Sequence, residues 1–326
     1  MEYYSLIGSS IAFSKMKTLI EKFARLHAPV LIEGETGTGK ELAARAIHYG
    51  GILCDKPFVP VNCGAFPEGL IESELFGHLK GTFTDARADL PGLVETAAGG
   101  SLFLDEIDAL TPKAQMALLR FLQDGSYRPI GSRVERKVDV RIIAATNANL
   151  DRLAESGAFR SDLLYRLRIL ALKLPPLRER DEDSLLLARA FFARCIQESQ
   201  CTAGKLDEST CSWFSRYPWP GNVRELEGLV YREAMVSNDE TLRLDPPVSF
   251  IGERRYSHDR RMLQFDGVAY STAKSIILDQ FEHHYLAELM EQAKGNVTHA
   301  ARIAGKERRA LGKLLKKHGL ANQYVG

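Results

Sequence analysis

The stretch Gly34-Glu35-Thr36-Gly37-Thr38-Gly39-Lys40-Glu41 constrains the fold more than any other part of the chain. It follows an apolar run, Pro29-Val30-Leu31-Ile32, that reads as a buried strand. It leads into Leu42-Ala43-Ala44-Arg45-Ala46-Ile47, which reads as a helix. A strand, a glycine-rich turn ending in Gly-Lys and then a helix is the setting of a phosphate-binding loop. Glycines let the backbone curl until successive N–H groups face inward, and the helix N-terminus adds positive potential for an anion. Lys40 then reaches the outer phosphates. The generic pattern puts Ser or Thr after the lysine to hold magnesium; this chain has Glu41.

Such a loop needs a sheet behind it. Phe58-Val59-Pro60-Val61-Asn62 reads as a second strand with Asn62 at its end, and the apolar run from Gly99 ends in Asp105-Glu106. In open α/β sheets ligands bind at the carboxyl ends of the strands. Asp105 is therefore placed to hold magnesium, and Glu106 to act as general base on the attacking water. A third apolar run, 138–147, ends in Thr146-Asn147, which either cap the next helix or face the phosphates. Apolar spacing predicts helices over 14–24, 70–76 and 112–123. Strands alternating with helical patterns throughout 29–172 predict a parallel, helix-covered sheet. Arg160 and Arg166 lie either on a solvated helix face or as arginine fingers offered to a neighbouring subunit's γ-phosphate. The segment Gly77 to Ala86 lacks a period and sets Phe83 among small polar residues, as a surface hairpin or as a contact point for a partner.

From Leu174-Pro175-Pro176-Leu177 the pattern turns helical, with helices expected over 181–199, 207–216 and 222–237. Asn222 is expected to cap the last of them, and Arg224 in its first turn opposes the helix dipole unless a phosphate lies nearby. Residues 241–274 read as a linker, broken by Pro246-Pro247. An amphipathic helix is expected over 275–292, then a short helix over 297–303 capped by Asn296. A turn at Ala304-Gly305-Lys306 and a basic helix over 307–318 complete a helix-turn-helix pattern. Net charge of +1 hides an asymmetry: residues 294–318 carry +7, leaving −6 on the rest. A basic module on an acidic body points to double-stranded DNA, with Thr298, Lys306, Arg308, Arg309, Lys313 and Lys316 as candidate contacts. No apolar run approaches the ~20 residues of a membrane span. The N-terminus lacks the features of a signal peptide, and the five cysteines include no C-x-x-C pair. A cytoplasmic address with reduced thiols follows, and no membrane partner is expected.

These residues resemble a known family, the bacterial enhancer-binding proteins: NtrC-like AAA+ ATPases that activate sigma-54 RNA polymerase. The matching segments are GETGTGKE (34–41), VNCGA (61–65), ESELFGH (72–78), GGSLFLDEI (99–107), RIIAATN (141–147), FRSDLLYRL (159–167), LPPLRER (174–180) and WPGNVREL (219–226). The terminal GNVTHAARIAG (295–305) resembles the family's Fis-like helix-turn-helix. The resemblance implies an α/β P-loop NTPase of AAA+ type with a parallel sheet and helical lid, followed by an all-α Fis-like helix-turn-helix. Its expected divisions are 1–173, 174–240, a linker over 241–274, and 275–326.

By resemblance, ATP with magnesium binds at residues 34–41, with Lys40 on the phosphates, Asp105 on magnesium and Glu106 activating water. Asn62 holds that glutamate inactive until substrate and target are in place. Thr146 and Asn147 sense the γ-phosphate, Arg224 is the lid's sensor arginine, and Arg160 and Arg166 act in trans within a homo-oligomeric ring, usually a hexamer. Glu41 is the family's own habit. The chain begins close to the ATPase, so no receiver domain is expected and control falls to a trans-acting regulatory protein or to abundance.

The sigma-54 contact loop of the family is Gly-Ala-Phe-Thr-Gly-Ala; here it is Gly81-Thr82-Phe83-Thr84-Asp85-Ala86. Phe83 and Thr84 are kept, whereas Asp85 adds a charge and removes glycine's freedom. The expected function is an ATP-hydrolysing activator that binds DNA upstream of promoters and remodels the closed complex of the sigma-54 RNA polymerase holoenzyme. The competing reading is a DNA-binding AAA+ regulator whose altered loop does not engage sigma-54. A remodeller of other proteins is a third, against which the basic C-terminal module argues.

Overall fold

The computed structural model describes residues 6–67, 69–82, 88–180, 183–198, 203–237 and 239–246, and from the C-terminal part 282, 285–286, 289–290, 293 and 295–318. It falls into two compact units, Met1–Pro247 and Val248–Gly326.

The first unit is built on a five-stranded parallel sheet of β1 (Val30–Glu33), β2 (Phe58–Asn62), β3 (Ser101–Asp105), β4 (Arg141–Thr146) and β5 (Leu170–Lys173), in the order β2-β3-β4-β1-β5. A parallel sheet covered on both faces calls for continuous apolar strands, and every residue of β4 is buried. Adjacent strand residues point to opposite faces. Ile32 packs with Phe13, Ile20 and Ile47 of α1 (Ile11–Ala24) and α2 (Lys40–Tyr49). Leu31 packs on the other side with Leu75, Leu118 and Leu163 of α3 (Ile71–Phe76), α4 (Pro112–Asp124) and α5 (Ser161–Leu167). Each such fully buried leucine contributes roughly 2 kcal/mol. Helix α4 starts where Thr111 accepts a hydrogen bond from Ala114 N, with Pro112 at its first position, and stops at Gly125 in the left-handed region.

Beneath the sheet His48 is completely buried, its ring bonded to Ser101 Oγ at 2.9 Å and to the Lys56 carbonyl at 3.0 Å. Burial holds its pKa below the ordinary 6.5. The folded state thus binds fewer protons here than the unfolded chain, so this contribution is fully present above about pH 6.5 and is lost as pH falls below it. Thermal unfolding followed from pH 7.5 down to pH 5 should show a decline that His48→Gln flattens; an equal decline in both proteins would contradict this assignment.

The lid comprises α6 (Asp183–Gln197), a 3-10 segment (Glu208–Trp213) and α7 (Asn222–Val236). The helix expected over 207–216 is thus a 3-10 segment. The lid core is aromatic, with Trp213 stacked on the buried Trp219 at 5.4 Å. Residues 241–246, expected to open the linker, pack on the lid. Thr241–Leu242 pairs with Lys205–Leu206, and Trp213 Nε1 donates to the Leu244 carbonyl at 3.0 Å. The rest of the expected linker lies outside the described residues.

In the second unit Asn296 Oδ1 accepts from Thr298 N at 3.0 Å and His299 N at 3.1 Å, capping α8 (Val297–Ile303) as expected. Gly305, at φ +61°, turns the chain toward α9 (Arg308–Lys317). Leu311 and Leu315 of α9 meet Ala300, Leu286 and Met290 in the core. Of the helix expected over 275–292, residues 282, 285–286 and 289–290 are described, and all five are helical.

Candidate functional site

Every residue of the sequence-predicted loop is described, and the fold divides their tasks. Gly37 (φ +79°) and Gly39 (φ +96°) take backbone conformations that side chains resist. Thr36, Gly37, Gly39, Lys40 and Glu41 line a cleft of about 320 Å³ at the carboxyl ends of the strands. Lys40 Nζ donates to the carbonyls of Gly34 and Glu35 at 2.9 and 3.2 Å. Burial lowers the Lys40 pKa, and the carboxylates of Asp105, Glu106 and Asp108 partly restore it. Glu41 pairs with Arg45 one turn along α2, at 2.7 Å. Thr38 is buried, and its hydroxyl donates to the Glu35 carbonyl at 2.7 Å.

Across the cleft stand Asn62, Asp105 and Glu106. Asn62 and Asp105 are register partners at the ends of β2 and β3. Glu106 follows with φ +53°, a conformation of order 1 kcal/mol costlier for a side-chain-bearing residue. Strain of this kind collects at functional sites. Its carboxylate lies over Gly64, where any added Cβ would run into Oε2. Asn62 Oδ1 accepts from Gly64 N at 2.8 Å; among the described residues no hydrogen bond joins Asn62 to Glu106. The negative field of this corner is felt by buried Cys63, whose thiol is pushed up to about 12 by burial first and by Asp105, Asp108 and Glu106 next.

The two strand-end residues part company. Asn147 lines the cleft and donates from Nδ2 to Thr36 Oγ1 at 3.0 Å. Thr146 is completely buried, its hydroxyl bonded to Asp108 rather than exposed to the cleft. Asp108 was not among the sequence candidates.

From the lid, Val223 and Arg224 enter the same cleft, and both their backbone N–H groups donate to the Gly37 carbonyl, at 3.0 and 3.3 Å. Asn222 does not cap α7. It is the first helical residue, at φ +52°, and no side chain caps the preceding Gly221. Its amide instead donates to Glu35 Oε2 at 3.1 Å and to the Thr36 carbonyl at 3.0 Å, while Oδ1 accepts from Leu177 N at 2.8 Å. Arg178 reaches Glu35 as well, at 2.6 and 2.8 Å, and Arg178 with Asn222 holds the Glu35 carboxyl down at about 2. Glu35 is thus a tie between loop and lid rather than a cleft residue.

A second cavity of about 260 Å³ adjoins the first and shares Gly39, Leu42, Val223 and Glu227 with it. Its walls include Ile7, Phe13, Leu174, Leu187 and Phe191. Sequence reasoning placed none of these at the site, because each is an ordinary apolar core residue by type and spacing. An apolar slot running into a cationic, backbone-lined cleft with two carboxylates fits a molecule with a flat apolar end and a polyanionic end.

Arg160 and Arg166 do not line the cleft. Arg160 precedes α5 and is paired with Asp162 at 2.7 Å, and Arg166 is exposed on the same helix. Gly81 (φ +81°) and Thr82 begin the expected partner loop, with the Thr82 hydroxyl donating to the Leu79 carbonyl at 2.9 Å. Phe83, Thr84, Asp85 and Ala86 lie outside the described residues. In the second unit Thr298, Lys306, Arg308, Arg309, Lys313 and Lys316 are all exposed.

A parallel sheet, a Gly-Lys loop at its carboxyl edge and a helical lid closing over that loop define a P-loop NTPase of the AAA+ class. Residues 6–173 match the sigma-54 interaction domain, 178–259 the AAA+ ATPase lid domain, and 277–318 the Fis family of bacterial regulatory proteins. The chain belongs to the sigma-54-dependent transcriptional activator family and carries a Fis-type DNA-binding domain. It is 40% identical over 321 residues to the phenol regulator MopR of Acinetobacter guillouiae, covering 96% of this chain and 56% of MopR. It is 39% identical over 335 residues to the DNA-binding transcriptional regulator NtrC of Azospirillum brasilense, covering 97% of this chain and 69% of NtrC. The structure of NtrX from Brucella abortus in complex with ADP superposes with a TM-score of 0.69 at 30% identity, over 98% of this chain and 70% of NtrX. Among the described residues no helix is long and apolar enough to cross a membrane.

Proposed function

We propose that this chain is an ATP-hydrolysing transcriptional activator that binds DNA through α8 and α9 and opens promoters held closed by the sigma-54 RNA polymerase. The convergence of Lys40, Asp105, Glu106 and Arg224 on one cleft, in a chain of the sigma-54 interaction family, carries the reading. NtrX has been solved in complex with ADP and with ATP, which supports a nucleotide as the ligand of this chain. The polyphosphate lies along the Gly34–Glu41 backbone, Lys40 and Arg224 offset its charge, and the base enters the apolar slot beside Leu187. Glu106 takes a proton from the attacking water. Asn62 limits that glutamate, and Asn147, with Thr146 behind it, reports on the γ-phosphate.

Magnesium fits the donor set: it favours one or two carboxylates completed by substrate phosphates and water. Asp105 would supply the carboxylate, and a bound ion would add positive charge against the phosphates. Arg160 and Arg166, exposed and outside their own cleft, serve a neighbouring copy, which makes the working form a ring, by resemblance a hexamer.

Asp85 favours a second reading, in which the chain binds DNA and hydrolyses ATP without engaging sigma-54. Transcription with sigma-54 holoenzyme, compared with holoenzyme carrying a vegetative sigma factor, separates the two: ATP-dependent product with sigma-54 alone upholds the first, and none removes it. Asp85→Gly should raise the yield if the substituted loop limits coupling.

For the DNA module, Arg308→Ala with Arg309→Ala should weaken operator binding by at least about tenfold and lower the salt dependence by ~1–2 ions. Unchanged affinity in a filter-binding or anisotropy titration would refute α9 as the recognition helix.

A further inference from the structure

Asp183, the first residue of α6, is completely buried and lines neither cavity. Its carboxylate gathers five donors. Ser9 N and Ser10 N reach Oδ1 at 2.7 and 3.0 Å, and Ser9 Oγ reaches it at 3.4 Å. Ser10 Oγ reaches Oδ2 at 3.0 Å and Arg180 Nε reaches it at 2.9 Å. Arg180 is itself buried, donates from Nη2 to the Ile7 carbonyl at 2.6 Å, and lies 4.8 Å from the centre of the Phe13 ring. Burial works against the charge on Asp183, but these hydrogen bonds outweigh it and hold the carboxyl below its usual range.

The backbone between is fitted to this group. A Cβ on Gly8 would sit 2.5 Å from Phe13 Cγ and 2.7 Å from Asp183 Oδ2, so only glycine lets the chain pass. The segment so held is a wall of the apolar slot: Ile7, Phe13 and Arg180 line it, facing Leu187 and Phe191 of the lid. A buried ion pair adds little net stability over an apolar replacement, yet it fixes geometry, because breaking it leaves a charge uncompensated.

We infer that the Arg180–Asp183 pair is a positioning device that binds residues 7–10 to the root of the lid and thereby shapes the base-side half of the nucleotide site. The inference rests on the proposed reading of the cleft as an ATP site. It predicts a split between the two halves of the ligand. The phosphate half is held by the Gly34–Glu41 loop, which Asp183 does not touch, while the base half depends on the wall that Asp183 holds.

The test is calorimetric titration of the full chain with ATP and with inorganic tripolyphosphate, for the unsubstituted protein, Asp183→Asn and Ser10→Ala. Asp183→Asn should weaken ATP binding roughly tenfold, or about 1.4 kcal/mol, and leave tripolyphosphate binding unchanged. In turnover the loss should fall on KM rather than kcat. Ser10→Ala, which removes one donor to Asp183 Oδ2, should show the same split in smaller measure, and it carries the test if Asp183→Asn does not fold. Unchanged ATP affinity, or equal weakening of both ligands, would overturn the inference. Failure of the unsubstituted chain to bind ATP would instead remove the nucleotide reading on which it rests.

Discussion

Glu106→Gln is expected to reduce ATP turnover by about 10²–10⁴-fold, the range associated with loss of a general base, while nucleotide binding survives. Gln keeps the size of the side chain and its reach over Gly64, so only proton acceptance is removed. Lys40→Ala should fail earlier, at binding, because it deletes the ammonium that faces the same cleft. Steady-state turnover combined with a nucleotide-binding titration distinguishes the two. A Glu106→Gln protein that turned over ATP at the normal rate would remove Glu106 from the chemistry.

Gly37→Ala should be nearly as damaging, for a reason that lies in the lid. The new Cβ would run into the Gly221 carbonyl oxygen and lie 3.2 Å from Arg224 Cβ, on a backbone at φ +79°. Both groups belong to the lid, so the substitution pushes Arg224 off the loop besides straining the loop itself. Gly39→Ala is the control. Its φ is +96°, but the nearest atom to a Cβ is Leu42 Cδ1 at 4.0 Å, leaving only the backbone term of ~1–2 kcal/mol. Gly37→Ala should therefore weaken ATP binding at least about tenfold more than Gly39→Ala. Equal effects in a binding titration would show that lid contact at Gly37 is not what matters.

The phosphate loop and the Asp105-Glu106 pair were legible in the sequence because their chemistry sits in consecutive residues, and strand-loop-helix order dictates where those residues must go. The same contiguity made α8, its Asn296 cap and the basic α9 readable. The apolar slot was not legible: Ile7, Phe13, Leu174, Leu187 and Phe191 come from separate elements, and none departs from ordinary core spacing. Asn222 misled because residue type and position alone suit a helix cap. A positive φ and a nearby loop carbonyl redirect its amide to Thr36 and Glu35. Strand β5 had no distinct signal, since it is a short edge strand with two of its four residues exposed. Thr146 and Asn147 are adjacent in sequence but alternate across the end of a strand, so one is buried on Asp108 while the other meets the cleft.

On the proposed reading the output of the ATPase is promoter opening, and the melted DNA itself is the quantity to measure. Permanganate reactivity of unpaired thymines, on a sigma-54 promoter with holoenzyme and this protein, reads it directly. Reactivity around the start site should appear with ATP and be absent both with ADP and with Glu106→Gln. Melting that is absent with ATP, or that appears equally with ADP, would contradict the proposed function.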